Sequence, residues 1–422
     1  MIRPAAPLTR FIAASGLTNL ADGVAVVVWA WVASLLTRDP LLIAVMPVAL
    51  RLPWFLCALP AGVITDRVDR HRLIMAMDAV RAVAFAGAML VIVAAEPLPA
   101  AAETGTDAPF VYMALLVCAL AVGVAEVFRD NAAQTMLPAL VPHDTLERAN
   151  GRLWSVELVG NSLVGPALGA FLVAVFVWAP FAANAAAYAL AFLFLTTIQG
   201  SFRPPQRAAS DWQAELKEGI GFLRGAPLLQ TLAVVTGVWN LLHQTVIIAL
   251  VLYVQEVLGL GAPAYGLILA AGAVGGILGG FFGERIVALL GPGTTAQWMT
   301  LASAVAFAAI PLAPNAITLA LILAAFEFTG ICWNTVSVSH RQRAIPDALL
   351  GRVNSIYRLF AWGMMPIGLI LSGLVVRWTD GPLGRADALA APFFVAALGA
   401  AILTALAWRP LGRGFAAALR AT

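Results

Sequence analysis

Charge is scarce in this chain. Asp, Glu, Lys and Arg together make up 11% of its 422 residues, and Lys217 is the single lysine. Because Lys217 follows Leu216, there is no glycine-lysine phosphate loop, which excludes ATP hydrolysis by this chain alone. H-E-x-x-H and G-x-S-x-G are also missing, and no serine stands with a plausible base at a useful depth, so the hydrolase and transferase classes have no support. The three cysteines, Cys57, Cys118 and Cys332, all fall in apolar runs without ligand spacing, which excludes a disulfide framework and a zinc site.

What fills the chain instead is apolar sequence: 61% hydrophobic residues and a mean hydropathy of +0.90, where soluble domains hold about 45–50% apolar residues. A run of about 20 apolar residues crosses the hydrocarbon core. Twelve such runs occur, at 10–36, 40–64, 73–95, 109–128, 150–177, 180–199, 227–254, 263–290, 295–313, 316–336, 353–376 and 388–408. Lipid offers backbone groups no partners, so spanning segments are helices or closed barrels, and runs this continuous lack the alternation of a barrel. The sequence therefore predicts an all-α membrane protein with twelve transmembrane helices. The first run is too long for a signal-peptide core and carries Asp22 in its middle, so it is read as a retained span.

The net charge of +3 is small but unevenly placed. With the N-terminus inside, most basic residues fall in inner loops, against Arg38, Arg377 and Arg385 outside, which puts both termini in the cytoplasm. These clusters need no nucleic acid to explain them. The longest polar interruption, around 200–225, opens with a Pro/Arg loop and offers Ser210 to Gln213 as a capping box. It reads as a linker with a short interfacial helix between an N-terminal bundle, 1–199, and a C-terminal bundle, 226–422.

The two halves repeat each other. Gly16-x-x-Asn19-Leu20-x-Asp22 recurs as Gly237-x-x-Asn240-Leu241-x-His243, and Gly62-x-x-x-Asp66-Arg67 as Gly280-x-x-x-Glu284-Arg285. Pro142-x-x-x-Leu146-x-Arg148-x-Asn150 recurs as Pro346-x-x-x-Leu350-x-Arg352-x-Asn354. Six spans separate the members of each match, so the repeat is parallel, with its axis along the membrane normal.

The loop GVITDRVDRHR, Gly62 to Arg72, resembles the G-x-x-x-D-R-x-x-R signature between the second and third spans of the major facilitator superfamily. Phe128 to Pro142, Leu146 to Gly151 and Val164 to Ala170 are similar to the branch that contains the bacterial enterobactin exporter and macrolide efflux proteins. The resemblance implies two pseudo-symmetric six-helix bundles in a bacterial inner membrane. It also implies Asp66 facing the start of the eleventh span, near Arg352. By the repeat, Glu284 faces the start of the fifth, near Arg148. With Gly62, Arg67, Arg70, Gly280 and Arg285, and with Arg129 within reach, these form an expected cytoplasmic gate. Gly165-Pro166-x-x-Gly169 resembles the exporter motif of the fifth span; the other reading is that small residues simply let helices approach.

Coupling and binding need polar groups at mid-membrane depth. Asp22 lies twelve residues into the first span and Arg51 fifteen residues from Asp66, so at about 1.5 Å per residue each sits roughly 18–22 Å from the inner boundary. Ionisable residues in spans face a cavity and pair, so Asp22 and Arg51 are expected to interact directly or through water, either as a fixed packing element or in proton coupling. Asn240, His243 and Gln244 make one polar stripe and Thr18, Asn19 and Asp22 its counterpart. Glu327 is a midplane carboxylate without a cation in its own helix; either it or His243 is a candidate proton carrier. Trp239 and Phe326 are among the candidate apolar walls.

The expected function is a proton-coupled exporter of hydrophobic or amphipathic small molecules, driven by the proton gradient without a bound cofactor, monomeric, its partners being substrate and lipid. A narrow-specificity natural-product or metabolite carrier is the alternative, and a non-transporting membrane sensor a third reading.

Overall fold

The computed structural model describes residues 6–65, 67–141, 146–200, 202–203 and 212–421. Among these, no strand forms beyond one bridge between Thr37 and Ala102, and almost everything else is helix. The first half contains α1 (Ala6–Leu36), α2 (Pro40–Leu56), α3 (Ala58–Thr65), α4 (Arg70–Ala95), α5 (Pro109–Leu140), α6 (Leu146–Glu157), α7 (Gly165–Val175) and α8 (Ala179–Thr196). After α9 (Trp212–Arg224) come α10 (Pro227–Leu252), α11 (Ala262–Leu290), α12 (Pro292–Ala309), α13 (Ala316–Ala344), α14 (Asp347–Gly363), α15 (Met365–Leu383) and α16 (Arg385–Ala421).

Among the described residues, eleven helical stretches are long and apolar enough to cross a membrane. The expected second span, 40–64, is the one that differs. It forms the 17-residue α2, breaks at Cys57 and resumes as α3. Proline explains the break. Pro60 has no N–H to give the Leu56 carbonyl, and its ring crowds that carbonyl. The same chemistry interrupts two further spans. Ahead of Pro166 the chain takes a π-helical turn, Leu158–Val164, closed by the Gly165 N–H on the Gly160 carbonyl. Ahead of Pro366, α14 gives way to α15 at Met364.

Helix starts follow capping rules. Asp39 caps α2, its Oδ1 accepting the Leu41 N–H at 3.0 Å, with Pro40 in the first turn. Asn315 caps α13 by accepting the Thr318 N–H at 3.0 Å. Satisfying these donors matters because unpaired backbone N–H groups are costly away from water.

The chain divides into two compact units, Met1–Arg207 with Gly261–Ala270, and Ala208–Leu260 with Ala271–Thr422. In the first, α4 packs on α5 and α8, and α1 on α7 and α8; Phe11, Ile74, Met136 and Leu195 lie in one of its buried cores. In the second, α16 packs on α10 and α12, and α15 on α10. There Leu232, Trp333, Val353 and Phe415 share a core, with Phe222 and Leu223 of α9 against it. The capping box expected ahead of α9 lies outside the described residues.

The approach of α1 to the fifth span is closest at Gly23. A methyl group there would lie 2.5 Å from the Asn161 carbonyl oxygen and 2.6 Å from that of Gly160. Gly165 faces it, its own Cβ position 2.5 Å from the Gly23 Cα. Only glycine allows backbones to meet in this way. A Gly23→Val substitution should therefore lower thermal stability in detergent by ~1–3 kcal/mol, the usual range for overpacking. Gly62→Ala, where an added Cβ meets nothing within 4 Å, should leave the melting temperature unchanged in the same assay.

Candidate functional site

In the first unit the polar residues of α1 divide by role. Thr18 Oγ1 and Asn19 Nδ2 both donate to the Ser15 carbonyl, at 3.1 and 2.8 Å, and so serve their own helix. Asp22 reaches outward. Its Oδ1 accepts from Arg81 Nη2 on α4 and from the Tyr188 hydroxyl on α8, the latter at 2.6 Å. Arg81 is fully buried, with its guanidinium 4.2 Å from the centre of the Tyr188 ring. Phe85 also stacks on that ring, 5.5 Å away and 13° from parallel.

The network extends along α4 and α5. Arg129 donates from Nε to Asp78 Oδ1 at 3.0 Å, and its Nη1 lies 3.6 Å from Asp130 Oδ1. Asp78 is fully buried and Arg129 nearly so. Arg51 on α2 pairs with Glu126 at 3.9 Å. Asp22 and Arg51 make no direct ion pair, each having another partner. The physical reason is burial: Arg81 has no access to water and requires the stronger contact, whereas the Arg51 side chain is 41% exposed.

In the second unit α10 and α13 bring the two candidate proton carriers together. His243 Nε2 lies 2.9 Å from Glu327 Oε1, with 21% and 27% of the side chains exposed. The imidazole is layered among aromatic rings, 4.9 Å from Trp239 and 5.3 Å from Phe326. Trp239 donates its indole N–H to Ser303 Oγ at 3.2 Å, and Ser303 bonds Thr329 at 2.8 Å. Asn240 donates to the Ala361 carbonyl at 2.9 Å, and so holds α10 to α14; Gln244 is partly exposed on the same helix. Glycines of α11 back this site, a Cβ at Gly272 lying 3.3 Å from Glu327 Cγ.

The expected gate is only partly described. Asp66 and the side chains of Arg148 and Arg352 lie outside the described residues. Arg67, Glu284 and Arg285 are exposed, with Arg285 5.6 Å from the Phe281 ring. A Cβ at Gly280 would make an ordinary 3.7 Å contact with Ile331. Arg129, considered for the gate, bonds Asp78; its expected gate partner, Asp66, lies outside the described residues. Gly165, Pro166 and Gly169 are buried against α1, where Gly169 faces Val24.

The described part of the charge-dense loop ties chain segments together. Asp69 caps α4 by accepting the Arg72 N–H at 3.1 Å, and its other oxygen accepts the Phe202 N–H at 3.0 Å. Arg70 donates to the Thr135 carbonyl at 2.9 Å, and His71 Nε2 lies 2.8 Å from that of Leu195.

Asp78, Arg81, Asp130 and Tyr188 form most of the first site and were not singled out from sequence. The signal was present for the first two. Two opposite charges at i, i+3 inside the apolar run 73–95 mark a functional position by the rule for ionisable residues in spans.

The sequence profile of the Major Facilitator Superfamily matches residues 11–369. The chain is a member of that superfamily. This major facilitator protein is 26% identical to the multidrug efflux pump Tap of Mycolicibacterium fortuitum over 409 residues, 93% of this chain and 92% of Tap. It is 24% identical to the enterobactin exporter EntS of Shigella boydii over 305 residues, 72% of this chain and 69% of EntS. Among solved structures, the nucleoside transporter NupG superposes with a TM-score of 0.75 at 12% identity, covering 96% of this chain and 99% of NupG. A bacterial homologue of the human lysosomal transporter Spinster superposes with a TM-score of 0.72 at 15% identity, covering 97% of both chains. This multi-pass transporter of the superfamily has a non-enzymatic task.

Asp69 gives a pH-dependent prediction. Burial pushes its carboxyl up, but the N–H groups of Arg72 and Phe202 and the nearby His71 outweigh this and hold it below its ordinary value. A lowered carboxyl stabilises the fold above the ordinary carboxylate range and loses that effect as pH falls through its folded value. Asp69→Ala should cost ~1 kcal/mol at neutral pH, as for loss of a helix cap. In thermal melts, the gap to wild type should narrow below about pH 4.

Proposed function

We propose that this transporter is a proton-coupled exporter of hydrophobic or amphipathic small molecules, working by alternating access between two six-helix halves, 1–199 and 226–422, joined by the linker 200–225. The observation that carries the reading is the His243–Glu327 contact at 2.9 Å. A proton entering or leaving this pair changes the charge of a half-open, aromatic-walled site, so proton and substrate can compete for it. The partly exposed ring of Trp239, backed by the buried rings of Phe326 and Phe307, offers an apolar surface to a ligand with few polar groups. Similarity to a multidrug efflux pump and to an exporter supports the outward direction. It also supports a bacterial inner membrane, with both termini cytoplasmic by the positive-inside rule.

A second reading is favoured by one observation, the similarity to an exporter of a single natural product over 72% of this chain. In that case the same ion pairs drive one narrow substrate.

The test is efflux of a panel of hydrophobic dyes and antibiotics from cells producing the protein, with and without an uncoupler. Efflux should collapse with the uncoupler, and Glu327→Gln should reduce it roughly tenfold or more, the scale expected when about 1.4 kcal/mol or more of coupling is lost. Efflux insensitive to the uncoupler would reject proton coupling. Movement of one compound only would select the narrow carrier.

A further inference from the structure

The charged groups of the first unit do not balance. Three arginines, Arg51, Arg81 and Arg129, meet four carboxylates, Asp22, Asp78, Glu126 and Asp130, across α1, α2, α4 and α5. From α8 the cluster receives the Tyr188 hydroxyl and the neutral amide of Asn184, which donates to the Ala21 carbonyl at 2.9 Å. From α6, Glu157 is within electrostatic reach of Asp22 and Arg129, but it lies at the surface and makes no ion pair with the cluster's arginines. With every carboxyl ionised, these seven directly paired groups carry one negative charge too many; Arg81, Asp78 and Arg129 are buried, while Arg51 and Asp130 are partly exposed. The set is neutral when it holds one proton.

Geometry indicates where the other charges go when that proton arrives. Arg81 bonds Asp22 through Nη2, while its Nε and Nη1 are buried without a partner. Asp78, three residues earlier on the same helix, accepts from Arg129 through Oδ1, while its Oδ2 is buried without a partner. Both side chains have no access to water. Residues at i, i+3 on a helix are neighbours, so an empty acceptor and two idle donors lie along one face of α4. Arg129, for its part, already has a second carboxylate, Asp130, at 3.6 Å.

We propose that this cluster binds one proton, on Asp22, and that Arg81 is the charge that moves in response, exchanging Asp22 for Asp78. The proton comes from water and adds to the Asp22 carboxylate, which ceases to be a counter-ion. A buried guanidinium without a partner is strongly unfavourable. Arg81 therefore turns to Asp78 Oδ2, and Arg129 shifts part of its hold to Asp130. The protonated cluster then has three cations and three ionised carboxylates. Arg81 is a positioning residue, carrying the event at α1 into α4 and α5. The inference rests on the reading that a proton gradient drives this transporter, and adds a coupling site separate from His243–Glu327.

The test uses the purified full chain in lipid nanodiscs, without substrate or gradient, carrying Glu327→Gln so that this carboxyl contributes no signal. Infrared difference spectra across pH should contain one carboxylic-acid C=O band that disappears in Asp22→Asn. Tyr188→Phe, which removes a donor to the ionised carboxylate, should raise the midpoint of that band, and Asp78→Asn should lower it by about one pH unit, tenfold in proton concentration. No Asp22-dependent band, or a midpoint unmoved or raised by Asp78→Asn, would overturn the proposal.

Loss of a neighbouring charge would also lower the midpoint, so the exchange itself is read from the structure of Asp22→Asn, a mimic of the protonated form. Arg81 should be found on Asp78 Oδ2; Arg81 still against residue 22 and Tyr188 would rule the exchange out, whether or not Asp78→Asn folds. The two readings fail separately. Uncoupler-insensitive efflux rejects proton-driven transport while leaving the band in place, and absence of the band rejects this site while leaving coupling through His243–Glu327.

Discussion

The guanidinium of Arg81 is the constraint around which the first unit is built. A permanently charged group with no exposure to water cannot be neutralised, because arginine keeps its proton in any protein environment. The surroundings must supply charge and hydrogen bonds instead. Asp22 from α1 and the face of Tyr188 from α8 do so, which fixes how those two helices lie against α4. Phe85 and Trp29 then pack around the tyrosine and Phe181, so that the aromatic core of this unit is arranged about one ion pair. Removing one partner of such a pair typically costs about 3–5 kcal/mol, comparable with the stability of a whole small domain.

The second unit meets the same problem with softer groups. Its central pair, His243 and Glu327, consists of two groups that can each become neutral, and both are partly open. Less rigid support is needed, and the surroundings are correspondingly apolar: rings around the imidazole and glycines behind the carboxylate. Toward the start of α10 the polar chemistry is hydroxyl-based. Tyr357 bonds Ser337 at 3.0 Å and the Leu232 carbonyl at 3.0 Å, and Arg341 lies 3.7 Å from the tyrosine ring. Two halves descended from one pattern thus hold different electrostatics at the matching position, aspartate in one and histidine in the other.

Much of this was legible in the residues. Spans were visible because lipid demands long apolar runs; the break within 40–64 was not, because hydropathy does not ask which carbonyl Pro60 leaves unbonded. The internal repeat picked out Asp22, His243 and Asn240 without any structure. Partner choice was not legible. Depth matched Asp22 to Arg51, but depth is one coordinate, and the angle about the helix axis decides which of several arginines an aspartate meets. Asp78 and Arg81 were passed over for a related reason: two charges inside an otherwise apolar run barely change its mean hydropathy, yet they are its most informative residues. Tyr188 had no local signal, because an aromatic at a helix surface looks the same in sequence whether it faces lipid or a guanidinium.

The contact between α1 and the fifth span has a mechanical side. Where Gly23 faces Gly160 and Gly165, backbone lies against backbone, and the atoms nearest each glycine belong to the main chain. Interlocked side chains resist sliding because each must leave its rotamer well before the helices can move past one another. A smooth glycine face has no such teeth. It is a bearing surface, along which two tightly packed helices can shear by small steps while the charges beside it change partners.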